Sequence, residues 1–328
     1  MGWWSGAMHE KAQSWAFGAL AAEQVPDALP HDPIAPESGY VSGFLRSMWI
    51  TRVRDGVTRF YGTLQSHASL PHLGSGAAEF QVVVSPPDLR DLDPSQAHRV
   101  VTRNMRLFGP VPYRGGDLEL EVGLFSVKAG DLVGPFLDLL ETLGGAAGVS
   151  LVAAARPFAA PVRRGFDLLT GSDGDAILEI GLATTFSRPE TGYFVVMRGP
   201  DDEVDLTSVT VTPDFRLRTR DGAFVTEFPY AVIAVEASPT RDDWFLVPDL
   251  ATAYGVLRED VAKGRLETVR ESLAMFKRTT LTSPDLLAHD GVRLVEKVGA
   301  EIDRTLQLTQ TSGGTEPMRS LEEVALYD

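Results

Sequence analysis

The chain has 328 residues, 44% of them hydrophobic and 23% charged, a composition expected of a soluble globular protein with ample length for a core. Its 30 Lys and Arg against 45 Asp and Glu leave a net charge of −15, and the excess lies beyond residue 110, where 21 basic face 35 acidic residues. Such a field repels phosphate backbones and anionic lipid, and the absence of cysteine rules out disulfides, thiolate metal sites, iron–sulfur clusters and cysteine nucleophiles.

Of the basic residues 25 are Arg and 5 are Lys, and Asn104 is the sole Asn, a usage that reads as the codon bias of a high-GC bacterium. No apolar run approaches the roughly 18 to 20 residues that a membrane-spanning helix needs. The short apolar run Trp15 to Ala22 follows Glu10 and Lys11 in place of a basic leader, so the expected compartment is the cytoplasm.

Residues 1 to 24 predict a helix, with Ser5 as its cap and Met8, Trp15 and Leu20 as apolar contacts. Trp3 and Trp4 at the terminus are candidate partner contacts. Pro26, Pro30, Pro33 and Pro36 then make an extended connector that closes a first segment, residues 1–40. Asp-Gly turns at Asp55-Gly56 and Asp221-Gly222 predict two long hairpins, Arg46 to Ser66 and Arg216 to Val235, because the residues of such a turn must accept positive φ. Between them strands are expected at Glu79 to Val84, Val100 to Phe108 and Asp117 to Lys128. In the last of these Leu118, Leu120, Val122 and Leu124 alternate with Glu119 and Glu121, which predicts one buried and one wet face. Phe136, Leu139, Leu140 and Leu143 carry helical spacing into an insert over residues 131–170. Strands resume at Ala176 to Phe186, Gly192 to Arg198 and Leu206 to Thr212, completing a β part over residues 41–238.

Beyond Pro239 the period turns helical. Leu250, Tyr254, Leu257 and Val261 form one stripe, Lys263-Gly264 breaks it, and Leu266, Val269, Leu273 and Phe276 form the next. Ser283-Pro284-Asp285 reads as the start of a third helix, reaching about residue 308. Residues 309–328 are expected to be disordered, although the stripe Leu321, Val324, Leu326 is capable of docking. The fold class expected is therefore α+β: an antiparallel β-sandwich with a helical insert, then a three-helix unit over 239–308 packed upon it.

Chemistry-bearing motifs are sparse. None of the six histidines forms a ligand pair at metal spacing. His67 and His72 with Glu79 are the nearest approach to a divalent site, and His67 with a loop carboxylate is the candidate acid–base pair. Gly115-Gly116 precedes a strand and Gly74-Ser75-Gly76 lacks an elbow context, so both read as turns. Three acidic loops carry Asp88, Asp91 and Asp93, then Asp173 and Asp175, then Asp201 and Asp202. Meeting at one end of a sandwich they would be similar in architecture to the calcium-binding end of C2-type domains. Arg99, Arg103 and Arg106 on one strand, and Arg163 and Arg164 in the insert, are expected to pair with carboxylates. Tyr113 and Arg114, in the rigid Phe108–Gly116 loop, are expected at the surface as interface anchors.

The function expected from these residues is a non-catalytic scaffold or adaptor that acts through protein–protein contacts, with no cofactor, metal, nucleic acid or membrane span. The alternatives are a hydrolase-like enzyme with dispersed acid–base residues and a calcium-dependent binding module.

Overall fold

A computed structural model describes residues 15–27, 29–73, 76–84, 99–128, 176–199, 204–312 and 317–327. Two antiparallel sheets and a C-terminal helical cluster make up the α+β fold. The first sheet contains β1 (Trp15–Ala19), β2 (Tyr40–Trp49), β6 (Arg99–Pro112), β9 (Gly192–Arg198) and β12 (Tyr230–Ser238), in the order β1-β9-β12-β2-β6. The second contains β3 (Arg54–Asp55), β4 (Thr58–His72), β5 (Gly76–Val84), β7 (Leu118–Lys128) and β8 (Ala176–Phe186), with β5 and β7 on either side of β4 and β8 outside β7. A small hairpin of β10 (Thr210–Val211) and β11 (Leu217–Arg218) lies apart.

Alternation decides which face of β7 is buried. Leu118, Leu120, Val122 and Leu124 are at most 1% exposed, as the sequence pattern predicts, and they join Leu64, Ala68, Phe80 and Ile180 of the same sheet. Val41, Leu45, Phe108, Val196 and Ile233 of the first sheet enter the same apolar cluster. The first sheet is apolar on its other face too. There Tyr193, Val195, Tyr230 and Val232 meet Leu20, Val209, Phe215 and Leu217 from the segments around it. Burial on both faces explains why β9 and β12 read as continuous apolar runs rather than alternating ones.

The long hairpins are not formed. Gly56 (φ 58°) and Gly222 (φ 87°) do take up the left-handed conformation their turns require. Around Gly56, however, only Arg54 and Asp55 pair with Arg59 and Thr58. The strand before it, β2, lies in the first sheet between β12 and β6, so the chain changes sheets between Trp49 and Arg54. Around Gly222, Arg218 bridges Phe224, while the run from Tyr230 pairs with β9 and β2. Nor is the N-terminal segment helical over its described part: β1 is a strand on the edge of the first sheet, followed by a 3-10 turn at Ala22–Gln24. Its apolar residues satisfy either period, and pairing with Arg198 to Phe194 decides for the strand. The strand expected from Leu206 shrinks to Thr210–Val211. The insert over 131–170 lies outside the described residues.

Three helices follow: α1 (Pro248–Lys263), α2 (Leu266–Leu281) and α3 (Ala288–Ser312). Proline at the first position opens α1, and Gly264 (φ 70°) ends it as a left-handed cap. Leu250, Tyr254, Leu257, Val269, Phe276, Leu294 and Val298 form the helical core. α3 starts at Ala288, later than Ser283-Pro284-Asp285 suggested, because that tripeptide turns instead and Leu286 and Leu287 are buried. The chain end also departs from the expectation of disorder. α3 runs to Ser312, and Met318, Leu321, Val324 and Leu326 pack into the helical core. Among the described residues no helix is long and apolar enough to cross a membrane.

Candidate functional site

Two polar clusters of different character stand out, one between the β part and the helices, the other on the outer face of the second sheet.

The first is built around Asp290, in the opening turn of α3 and 0% exposed. Its Oδ2 accepts hydrogen bonds from the Tyr40 hydroxyl of β2 at 2.6 Å and from the Tyr327 hydroxyl at 2.9 Å. The Tyr40 oxygen in turn accepts the Leu287 backbone N–H at 3.0 Å, and Tyr327 accepts the Arg241 N–H at 3.1 Å. Burial, reinforced by the bond to Asp290, pushes the Tyr40 hydroxyl far above its ordinary range. Tyr327 is pushed up to about 12 by burial and the same carboxylate. Among the described residues the buried acid has no Arg or Lys partner; the positive end of α3 and two hydroxyls hold it in place, and His289 Nε2 lies 3.5 Å from its Oδ1. Next to it Arg241, 1% exposed, donates Nη1 to the Asp285 carbonyl at 2.9 Å and Nε to Asp243 at 2.7 Å. Arg114 donates to Glu37 and to the Leu286 carbonyl. Tyr113 is 5% exposed and donates its hydroxyl to the Gly116 carbonyl, so it is buried where the sequence suggested a surface residue. This loop and the connector before β2 are therefore bonded to the helical cluster.

The second cluster follows from strand register. Even-numbered residues of β4 face the apolar cluster, and odd-numbered ones face away from it. On that outer face His67 pairs with Gln81 of β5 and with Glu121 of β7. The neighbouring row is Glu79, Ser69 and Glu119. On the other side Gln65 pairs with Gly123, which pairs with Gly181. Gln65 is 0% exposed, and neither atom of its amide has a hydrogen-bond partner. Gln81 Oε1 and Glu121 Oε2 are likewise buried and unpartnered. Burial lowers the His67 imidazole below its ordinary range, against the pull of Glu79 and Glu119. Burial and Glu119 raise the Glu121 carboxyl.

The residues singled out from sequence are dispersed by this arrangement. His67 lies in the second cluster with Glu79, while His72 is on the opposite face of β4, 3.9 Å from Asp285. The proposed His67–His72–Glu79 site is thus not assembled. Arg106 pairs with Asp243 at 2.8 Å, as expected of an arginine among carboxylates. Trp3, Trp4, Asp88, Asp91, Asp93, Asp173, Asp175, Asp201 and Asp202 lie outside the described residues, as do Arg163 and Arg164. Among the described residues no three His, Asp or Glu side chains are placed to hold a metal ion. A separate cleft of about 390 Å³ beside β9 has Asp205 and Asp221 in its wall, both held by neighbouring threonine hydroxyls, Thr207 and Thr219.

Sequence reasoning missed the Asp290 cluster, although a signal was present. Asp290 stands four residues before Leu294 and eight before Val298, on the buried stripe of α3, where a carboxylate needs a partner. No known protein family matches the chain, and neither a curated protein nor a solved structure does.

Proposed function

We propose that the protein is a non-catalytic scaffold or adaptor of a bacterial cytoplasm, working through contacts with other proteins. In this reading the two sheets are the layers of a β-sandwich, and the helical cluster extends it into one rigid platform. The observation that carries the reading is the use made of buried carboxylates. Asp290 links β2, α3 and the chain end. Glu179 accepts from Ser126, Thr51 and the Arg52 N–H. Glu301 accepts from Arg304 and Arg319. Each ties distant segments through side-chain bonds, Asp290 through its Oδ2 alone, whereas a catalytic acid or base is kept available to substrate. No hydrogen bond joins His67 to Glu79, Glu119 or Glu121, which leaves the acid–base alternative without a pair among the described residues.

Among the described residues, four of the seven large apolar side chains left exposed lie on the helices: Val256, Met275, Leu281 and Val292. Their exposure supports a partner surface on the helical cluster. The test is affinity purification of the tagged protein from its native cell. A stoichiometric companion should be retained by wild type and lost in the Met275→Glu/Leu281→Glu variant, with thermal unfolding unchanged. Purification of wild type without any stoichiometric companion overturns the reading.

A further inference from the structure

The β part and the helical cluster keep separate apolar cores, and polar contacts span the seam between them. Several converge on the turn ahead of α3. Its Asp285 carbonyl accepts from Arg241, its Leu286 carbonyl accepts from Arg114, and its Leu287 N–H donates to the Tyr40 hydroxyl.

His72, the last residue of β4, is set against that turn. Its side chain is 2% exposed, and its Nε2 lies 3.9 Å from Asp285 Oδ1. Arg241 reaches the same oxygen at 3.5 Å, so the carboxylate already has a cation beside it. The charged groups around the ring come from several elements: Asp285 from the turn, Arg241 from the segment after β12 and Arg114 from the loop before β7. Behind them Glu37 is engaged by Arg114, and Asp243 by Arg241 and by Arg106 of β6. A proton on His72 would thus place a third cation in a dry seam that holds two guanidiniums.

Burial holds the affinity of the ring for a proton below its ordinary value of 6.5; Asp285 opposes this, and Arg114 and Arg241 add to it. A ring that binds its proton less readily in the closed seam favours the open one once protonated. The stabilisation it lends is complete above 6.5 and fades as pH falls below that value.

We propose that His72 is a proton-operated latch between the β part and the helical cluster: closed while the imidazole is neutral, it releases the turn 285–287 when the ring is protonated in mildly acidic solution. Both apolar cores stay intact in either state, and the segment after β12 keeps the helices tethered. The device is independent of the scaffold reading.

The test is amide hydrogen exchange, expressed as protection factors so that the intrinsic pH dependence of exchange cancels. Between pH 7.5 and 5.5 ordinary carboxylates stay ionised. Over that range protection of the Leu287, Asp290 and Gly291 amides should fall at least about threefold, the ceiling for one proton being about tenfold. Protection in β7 and α2 should stay constant. His72→Gln, which keeps a polar side chain and takes up no proton, should abolish the fall. His289→Gln should preserve it, although His289 is an exposed imidazole beside Asp290. If His72→Gln does not fold, NMR titration of the His72 imidazole in the wild-type protein decides, and it must titrate below 6.5. Constant protection, a fall shared by β7 and α2, an unchanged fall in folded His72→Gln, its loss in His289→Gln, or an imidazole titrating at 6.5 or above overturns the proposal.

Discussion

Two buried carboxylates, Asp290 and Glu301, hold together two different junctions by different means. Both are at most 1% exposed and both belong to α3. Glu301 accepts two hydrogen bonds from Arg304, at 3.0 and 2.7 Å, with two more from the Arg319 backbone and guanidinium at 2.9 and 2.8 Å. Burial alone would raise its carboxyl, but these donors overcome that effect and bring it down to about 2. Asp290 has hydroxyl partners instead. The difference follows from location. Glu301 lies where two part-exposed arginines, Arg304 and Arg319, reach it, whereas Asp290 lies at the seam with β2, where compact tyrosines fill space as well as donate. The ionic junction should therefore be sensitive to acid and the hydroxyl junction to packing.

The largest effect should come from stripping the arginines from Glu301. The double substitution Arg304→Ala/Arg319→Ala leaves a buried carboxylate with no cation and should cost about 3 to 5 kcal/mol in urea unfolding. A cost below 1 kcal/mol would show that the clamp is solvated in solution.

Acid should distinguish the junctions next. The Glu301 carboxyl is lowered in the folded protein, so its stabilisation is complete above its unfolded value and fades as pH falls from about 4.5 toward about 2. The loss should amount to about 2 to 3 kcal/mol at the bottom of that window. In the double variant this limb of the pH–stability curve should be flattened, while Tyr327→Phe should leave it in place. The same limb in both proteins would contradict the assignment.

The smaller effect belongs to the hydroxyl junction. Tyr40→Phe preserves the ring but removes the donor to Asp290 and the acceptor for the Leu287 N–H. It should cost about 1 to 3 kcal/mol, with faster hydrogen exchange concentrated at the start of α3. Uniformly faster exchange across both sheets would mean that the seam and the β part unfold as one unit.

Legibility in sequence divides along the same physical line. Elements governed by local period were readable: the alternation in β7, and the stripes of α1 and α2 with the glycine between them. Pairing partners were not. A turn signal fixes φ at Gly56 and Gly222, yet says nothing about where β2 or β12 finds its neighbours, and both find them in the first sheet. His67 could be picked out as a residue, but its companions Gln81 and Glu121 are set by register across three strands, which sequence alone does not reveal. Asp290 and Tyr327 were readable only as anomalies, an acid on an apolar stripe and a tyrosine in an apparently unstructured tail.

The position of β12 has a consequence for how the chain assembles. It is the last strand of the first sheet to be synthesised, yet it lies in the middle, between β9 and β2. Every strand of the second sheet has left the ribosome once residue 186 has emerged, whereas the β1–β9 and β2–β6 pairs stay unjoined until residues 230 to 238 follow. Over that interval both pairs present open edges, and a nascent chain stopped before Tyr230 keeps them open, the state in which strands most readily capture a foreign partner.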